Sequence, residues 1–507
     1  MPDVRYVCLS DLHFGAQNSL LTHIPEGSII PDPMFASRSL IAFVDCLEAL
    51  IGTNEDQKAK PELVLNGDIL EFALATDDVA LLAFERFVEL ALVERDLFGP
   101  TIHYIPGNHD HHLWETARER QYANYVARRD VGVRIAPPWH GTPMFGAEDH
   151  EVRAKRRIDA DLLDSVIHRF HSLQDSSVEV HYPNFGLRSK QGRAVMFHHG
   201  HFIESIYRLM SELRMVLFPA SVSGPGTWDI EQENFAWIDF FWSTLGRSGQ
   251  MGADVGLLYD MLQDRTALQA VADNVVDAIV ATGKPGPVPK FARAWGARKI
   301  LDTVLARVTA LERNNPAGDP TATPLSAAGI SGLAHYLEGP LLFQLEQENS
   351  GTVPGNVAFV FGHTHKPYES GMDCPRLGGQ VDVYNSGGWV VDTLDNDARA
   401  GAAAVLIDED LHVASLRMYN QPRTPGGSGQ VAVHAVDDPA GNPLAERLRA
   451  KIDPQVDPWA TFSTEVAKAL PERHACLRTI IDRSVAAAKA RPAAKQAGEA
   501  GPRLATP

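Results

Sequence analysis

Short apolar runs ending in clusters of polar residues recur along this chain, and between them lie stretches with apolar residues three or four apart. Val4–Leu9 opens onto Asp11-Leu12-His13, Leu63–Asn66 onto Gly67-Asp68, and Thr101–Ile105 onto Gly107-Asn108-His109-Asp110. Compact apolar runs bounded by turn formers are the pattern of strands buried on both faces. Helical spacing marks Ser37–Leu50, Asp77–Leu97 and Glu115–Arg129, and the acidic residues that open the second suit a helix N-terminus. Leu20–Pro33, rich in Pro, Gly and Ser, reads as a long loop bordering the strand ends. Successive βα repeats with polar residues at each strand's C-terminal end predict a layered α/β fold whose ligands collect at that edge.

The rhythm then loosens. Ala136–Asp175 is irregular and charged, and its basic cluster Arg153–Arg157 reads first as a solvated face and second as a phosphate-recruiting patch. Val178–His181 and Ala194–Phe197 predict two strands around a turn at Arg188–Gly192, the second running into His198-His199-Gly200-His201. From 202 to 350 the pattern is that of a mainly helical insertion, with helices over Phe202–Leu217, Glu231–Leu245, Leu268–Ala281 and Lys290–Leu311 and a linker at Asn314–Pro324. The aromatic run Asn234–Trp242 reads as packed helical core rather than a ligand groove.

Strand pattern resumes at Asn356–Phe361, which leads into Gly362-His363-Thr364-His365. Gln380–Tyr384 and Gly388–Val391 flank a turn at Asn385-Ser386-Gly387, and Ala402–Ile407 with His412–Met418 predict a closing hairpin. Beyond Gln421, helices are expected at Ala445–Ala450 and Phe462–Ala488, and Arg491–Pro507 has the composition of a disordered tail. The expected division is a core of 1–201 and 351–420, a helical insertion at 202–350, and a C-terminal extension at 421–507.

Composition narrows the chemistry. The apolar share of 44% and charged share of 22% are those of an ordinary soluble globular chain. A net charge of -18 argues against an extended nucleic-acid interface, while leaving room for a small phosphorylated substrate at a cation-bearing site. Cys8, Cys46, Cys374 and Cys476 lack paired spacing, so reduced thiols and a cytoplasmic location are expected, with no zinc-ribbon pattern. The N-terminal run has no signal-peptide pattern, and no apolar stretch reaches the roughly 18 residues of a transmembrane segment. Nothing in the sequence signals an oligomeric state.

Gathered at one edge, Asp11, His13, Asp68, Asn108, His199, His363 and His365 make a mixed oxygen and nitrogen set suited to two divalent cations (Mn, Fe, Zn or Co) rather than to a thiolate zinc site. The blocks DLH, GD, GNHD, HG and GHTH, in this order at strand ends, resemble the signature of the calcineurin-like metallophosphoesterases. The resemblance covers roughly Val4–Gly200 and Asn356–Met418. It implies an α/β (α+β) fold: a four-layer αββα sandwich of two mixed sheets, in place of a single open sheet, carrying a large helical insertion. It also implies hydrolysis of a phosphomonoester or phosphodiester by a metal-bridging hydroxide. Asp11, His13 and His365 would hold one metal, Asn108, His199 and His363 the other, and Asp68 would bridge them. Of the adjacent histidines, His199 is preferred because glycine follows it, and His198 is the alternative. His109 is implied to act on the phosphoryl group or leaving oxygen, with Asp110 orienting it, and His201 is a candidate for the substrate side. Gly67–Phe72 and Asn385–Trp389 further resemble the UDP-diacylglucosamine pyrophosphatase branch, which widens the expected substrates to nucleotide- and lipid-linked ones. That branch typically carries arginine where this chain has His109.

Overall fold

The computed structural model describes residues 2–145, 158–217, 226–244, 324–348, 353–394, 396–422, 431–436 and 441–490. The expected helices Leu268–Ala281 and Lys290–Leu311, most of the Asn314–Pro324 linker, the Arg153–Arg157 cluster and the Arg491–Pro507 tail lie outside the described residues.

Two sheets form the centre. In chain order the strands are β1 (Val4–Leu9), β2 (Glu62–Leu65), β3 (Thr101–Tyr104), β4 (Ser177–Val180), β5 (Asn184–Arg188), β6 (Arg193–His198), β7 (Asn356–Phe361), β8 (Tyr368–Cys374), β9 (Gly379–Asn385), β10 (Gly401–Asp408), β11 (Val413–Asn420) and β12 (Ala432–His434). One sheet runs β12-β11-β10-β1-β2-β3-β4, parallel from β1 to β4 and antiparallel from β1 to β12. The other runs β5-β6-β7-β9-β8, with parallel β6-β7-β9 pairing between antiparallel edges. Both are mixed, as expected.

Alternation along the strands builds the layers. Cys8, Val64, Val405 and Ile407 pack inward against Phe185, Val195, Phe197 and Val360 of the facing sheet. Val7, Leu9, Leu63 and Leu65 point the other way into an apolar layer with α1 (Arg38–Ile51), α2 (Asp77–Val88) and α3 (His112–Ala127). Ser37 starts α1 because its hydroxyl accepts from Leu40 N at 3.0 Å, a cap worth about 1 kcal/mol. The short α4 (Asp161–Ile167) joins the same layer.

The five-stranded sheet is covered by segments of the 202–350 region. These are α5 (Leu209–Leu217), α6 (Thr227–Ile238), α7 (Ala327–Tyr336) and α8 (Leu342–Glu348). Ile206, Tyr207, Ile238, Trp242, Leu333 and Tyr336 share one apolar cluster with Met196, Phe359 and Phe361 of the sheet. Layer order is therefore helix, sheet, sheet, helix. Within the aromatic run, Ile238 and Trp242 are buried as expected, whereas Phe240 is 53% exposed.

The last helices, α9 (Pro443–Lys451) and α10 (Trp459–Ala490), close the opposite face. Leu444, Leu448, Trp459 and Phe462 enter the same apolar layer as α1, and Arg473 donates to the carbonyls of Ser19 (2.8 Å) and Thr22 (2.7 Å). The C-terminal helix thus pins the start of the Leu20–Pro33 loop. Four strands differ from expectation. Gly388–Val391 forms only an isolated bridge, Ser19 to Val390, while β5, β8 and β12 are additional. All three are edge strands, and β8 (Tyr-Glu-Ser-Gly-Met-Asp-Cys) has buried residues only at its two ends, so no apolar run announced it.

Candidate metal centre

Five of the residues at the strand ends take left-handed backbone: Asp11 (φ 51°), His13 (45°), Asp68 (51°), His363 (67°) and His365 (56°). Among the described residues only Asp96 and Leu411 are other non-glycines with positive φ. Such a conformation costs about 1–2 kcal/mol per residue, and its concentration here marks turns held by the surrounding structure for what their side chains do. The turns also press together. A Cβ at Gly362 would lie 2.0 Å from Asp11 Oδ2, and one at Gly107 2.2 Å from Asp68 Oδ1, so both positions require glycine.

Four histidines converge with a common arrangement. Each places one ring nitrogen on an oxygen outside the centre and the other toward its neighbours. His13 Nδ1 meets Glu71 Oε2 at 2.9 Å, His365 Nδ1 meets Asp392, His199 Nδ1 donates to Asn66 O at 3.1 Å, and His363 Nε2 meets Glu204 Oε2 at 3.2 Å. Inward, His13 Nε2 faces His365 Nε2 at 3.3 Å, and His199 Nε2 faces His363 Nδ1 at 3.3 Å. With the outer nitrogen donating, as in the hydrogen bonds of His13, His199 and His365, a neutral ring presents its lone pair inward, the arrangement by which outer-layer carboxylates and carbonyls orient metal-binding histidines; His363 lies at ion-pair distance from Glu204.

The carboxylates complete two groups. Ligand atoms of Asp11, His13 and His365 lie within 4.8 Å of one another, as do those of Asp68, His199 and His363. Asp11 Oδ1 is 3.2 Å from His365 Nε2, and Asp68 Oδ2 lies 3.2 Å from His199 Nε2 and 3.8 Å from His13 Nε2, so Asp68 stands between the groups. Asn108 Oδ1 is 3.2 Å from His199 Nε2, while its buried Nδ2 has no hydrogen-bond partner among the described residues. Imidazoles and carboxylates without thiolates, with their nitrogens and oxygens converging, fit borderline divalent cations.

Electrostatics agree with that fit. Burial pushes the Asp68 carboxyl up, but His199 and His109 outweigh it and hold it well below the usual carboxylate range. Burial likewise works against charging His199, yet Asp68 and Asp11 raise it to about 9. His365 is carried against burial to about 10 by Asp392 and Asp11. The carboxylates demand positive charge, so protons and a cation compete for the same inward nitrogens.

His109 sits beside this centre. Its N–H donates to Asp68 Oδ1 at 2.7 Å, and its Nδ1 lies 2.8 Å from Glu71 Oε1. Glu71 therefore spans His13 and His109, and those two rings hold it ionised against the effect of burial. The expectation that Asp110 orients His109 is corrected by this geometry. Asp110 instead accepts from the backbone N–H groups of Gly107 (2.7 Å), Ile69 (2.8 Å), Asp68 (3.3 Å) and Leu70 (3.3 Å). Three of those donors lie in the tight Gly67–Leu70 turn, whose buried N–H groups need an acceptor, and the carboxylate supplies it. Burial, then Asp68, raises its pKa.

Of the adjacent histidines, His199 lies in the cluster, whereas His198 accepts from Gly200 N at 2.8 Å and packs beside Tyr336 and Phe202. His201 turns to Tyr182, its Nε2 3.2 Å from the phenol oxygen. Sequence reasoning missed Glu71, Asp392 and Glu204. Glu71 carried a signal, since it stands three residues after Asp68 within an already noted block, but Asp392 and Glu204 had none. The Asn385–Trp389 run acts from behind: Asn385 Nδ2 donates to Gly362 O (2.9 Å) and Thr364 Oγ1 (3.0 Å), and Ser386 bonds Ser10, which donates to Asp11.

No helix among the described residues is long and apolar enough to cross a membrane. No curated protein matches the chain. Residues 4–212 match the family model described as calcineurin-like phosphoesterase, and the sandwich of two mixed sheets between helical layers is the calcineurin-like fold.

Proposed function

We propose that this site hydrolyses a phosphoester, using a pair of divalent cations held by Asp11, His13 and His365 on one side and Asn108, His199 and His363 on the other, with Asp68 shared. The observation that carries the reading is the common orientation of the four histidines, each with an outer oxygen partner and an inward nitrogen. Such cations, when bound, supply an activated water and neutralise the phosphoryl charge. Glu71 fixes the His109 ring through Nδ1, so Nε2 is the nitrogen that meets a phosphoryl or leaving-group oxygen and hands it a proton. The Asp68 carboxylate accepts from the backbone N–H of His109 and so ties that residue's backbone to the shared ligand. Asp110 positions both through the Gly67–Leu70 backbone.

The substrate is a small phosphorylated molecule, a monoester or diester in the first reading and a nucleotide- or lipid-linked pyrophosphate in the second. Trp389 does not favour the second, because it is buried against Phe43 and Phe462 and serves packing. Mn²⁺-loaded protein should turn over p-nitrophenyl or bis-p-nitrophenyl phosphate. His109→Ala should lower kcat by about 100- to 10,000-fold with metal content retained, the range of general acid–base catalysis. Asp68→Asn should lose both metal and activity. Undiminished turnover in Asp68→Asn refutes the reading, and a panel of monoesters, diesters and nucleotide-linked pyrophosphates decides between the substrate classes.

A further inference from the structure

The lone-pair geometry of the candidate centre recurs at a place that shares none of its residues. His103 on β3 and Glu179 on β4 are direct partners in the parallel register, and His181 follows Glu179 by two residues, which places it on the same face. Ligand atoms of His103, Glu179 and His181 lie within 4.8 Å of one another. The Nε2 of His103 donates to Glu62 Oε2 at 2.7 Å, which leaves Nδ1 as the lone-pair nitrogen of a neutral ring. That Nδ1 faces His181 Nε2 at 3.0 Å. Two Zn–N bonds of about 2.0–2.1 Å at a tetrahedral angle separate their nitrogens by about 3.3 Å, so a shift of a few tenths of an ångström accommodates the ion. Glu62 then plays toward His103 the part that Glu71 plays toward His13.

The surroundings suit a closed but reachable site. Phe185 stacks on His103 at a centroid distance of 4.4 Å and lies tilted by 35° against His181 at 4.3 Å, so it packs against both imidazoles. His103 and Glu179 are buried, while the Glu62 side chain is 40% exposed and keeps water at the outer layer.

We propose that His103, Glu179 and His181 form a separate divalent-metal site, oriented by Glu62, whose two imidazoles and one carboxylate select Zn²⁺ over Mg²⁺ or Ca²⁺. A water completes the tetrahedron. The ion links edge strand β4 to β3.

The test is a metal count on the full chain. Wild type and His181→Gln are incubated with excess Zn²⁺, desalted and analysed by mass spectrometry for zinc per chain, with circular dichroism to verify folding. His181→Gln should carry one equivalent less than wild type, and Co²⁺ substitution should show one visible absorption component fewer. Because the readout is a difference, it stands whether or not the phosphoesterase reading holds. Should His181→Gln fail to fold, Glu179→Gln replaces it under the same criterion. Equal zinc in wild type and variant, or loss of more than one equivalent, overturns the proposal.

Discussion

Glu71→Gln separates the oriented-histidine reading from simple packing. Glu71 Oε1 accepts from the N–H groups of Ala73 (3.1 Å) and Leu74 (3.0 Å) and meets His109, while Oε2 meets only His13 Nδ1 at 2.9 Å. Glutamine keeps the volume, and its single carbonyl oxygen can serve the Oε1 partners. Its amide N–H groups then face His13 Nδ1, and two donors cannot share that contact. The His13 ring must move its proton to Nε2, the nitrogen that faces His365 at 3.3 Å and Asp68 Oδ2 at 3.8 Å. A charge-assisted hydrogen bond contributes about 1.5–3 kcal/mol, which converts at 1.4 kcal/mol per decade to a loss of about 10- to 150-fold in affinity for the cation at Asp11, His13 and His365. The group at Asp68, His199 and His363 should keep its cation. Competition with a chelator, followed by mass-spectrometric metal counts, reads this as one weakened site of two. The kcat at saturating Mn²⁺ should fall while KM changes little, since His109 also loses its charged partner. A Glu71→Gln protein with wild-type affinity at both sites and unchanged kcat refutes the tautomer argument.

Two further expectations follow from the same contacts. Asp110→Asn places an amide against the backbone donors of the Gly67–Leu70 turn and of Gly107, so thermal melts should show a loss of about 1–3 kcal/mol, and the pH profile of kcat should keep its wild-type shape because Glu71 holds the His109 ring. In metal-free protein, the raised pKa values of His199 (about 9) and His365 (about 10) contribute stability that is fully present below about pH 6.5 and is lost as pH rises through 9 and 10. Cation binding near neutral pH must therefore release protons. Calorimetry in two buffers of different ionisation enthalpy should detect that release at pH 7 and see it shrink toward pH 10, and the same heat in both buffers counts against it.

Sequence alone determined the frame of the site. Apolar runs long enough for one buried strand, each ending in ligand-type residues, identified Asp11, His13, Asp68, Asn108, His199, His363 and His365 as one set, because strand ends in layered folds share an edge. It could not determine which carboxylate serves which histidine. Asp110 adjoins His109 in the chain, yet the Gly67–Leu70 turn takes its oxygens, and Glu71 reaches His109 from 38 residues away. Asp392 and Glu204 follow the same logic: their partners His365 and His363 are brought to them by the sheets and the 202–350 segment, not by spacing. The edge strands β5 and β8 were hidden because polar residues and glycine interrupt both, which removes the apolar run by which a strand is read. Local pattern encodes burial, and burial places the ligands. Their orientation depends on contacts between residues distant in the chain, and only the tertiary structure decides those.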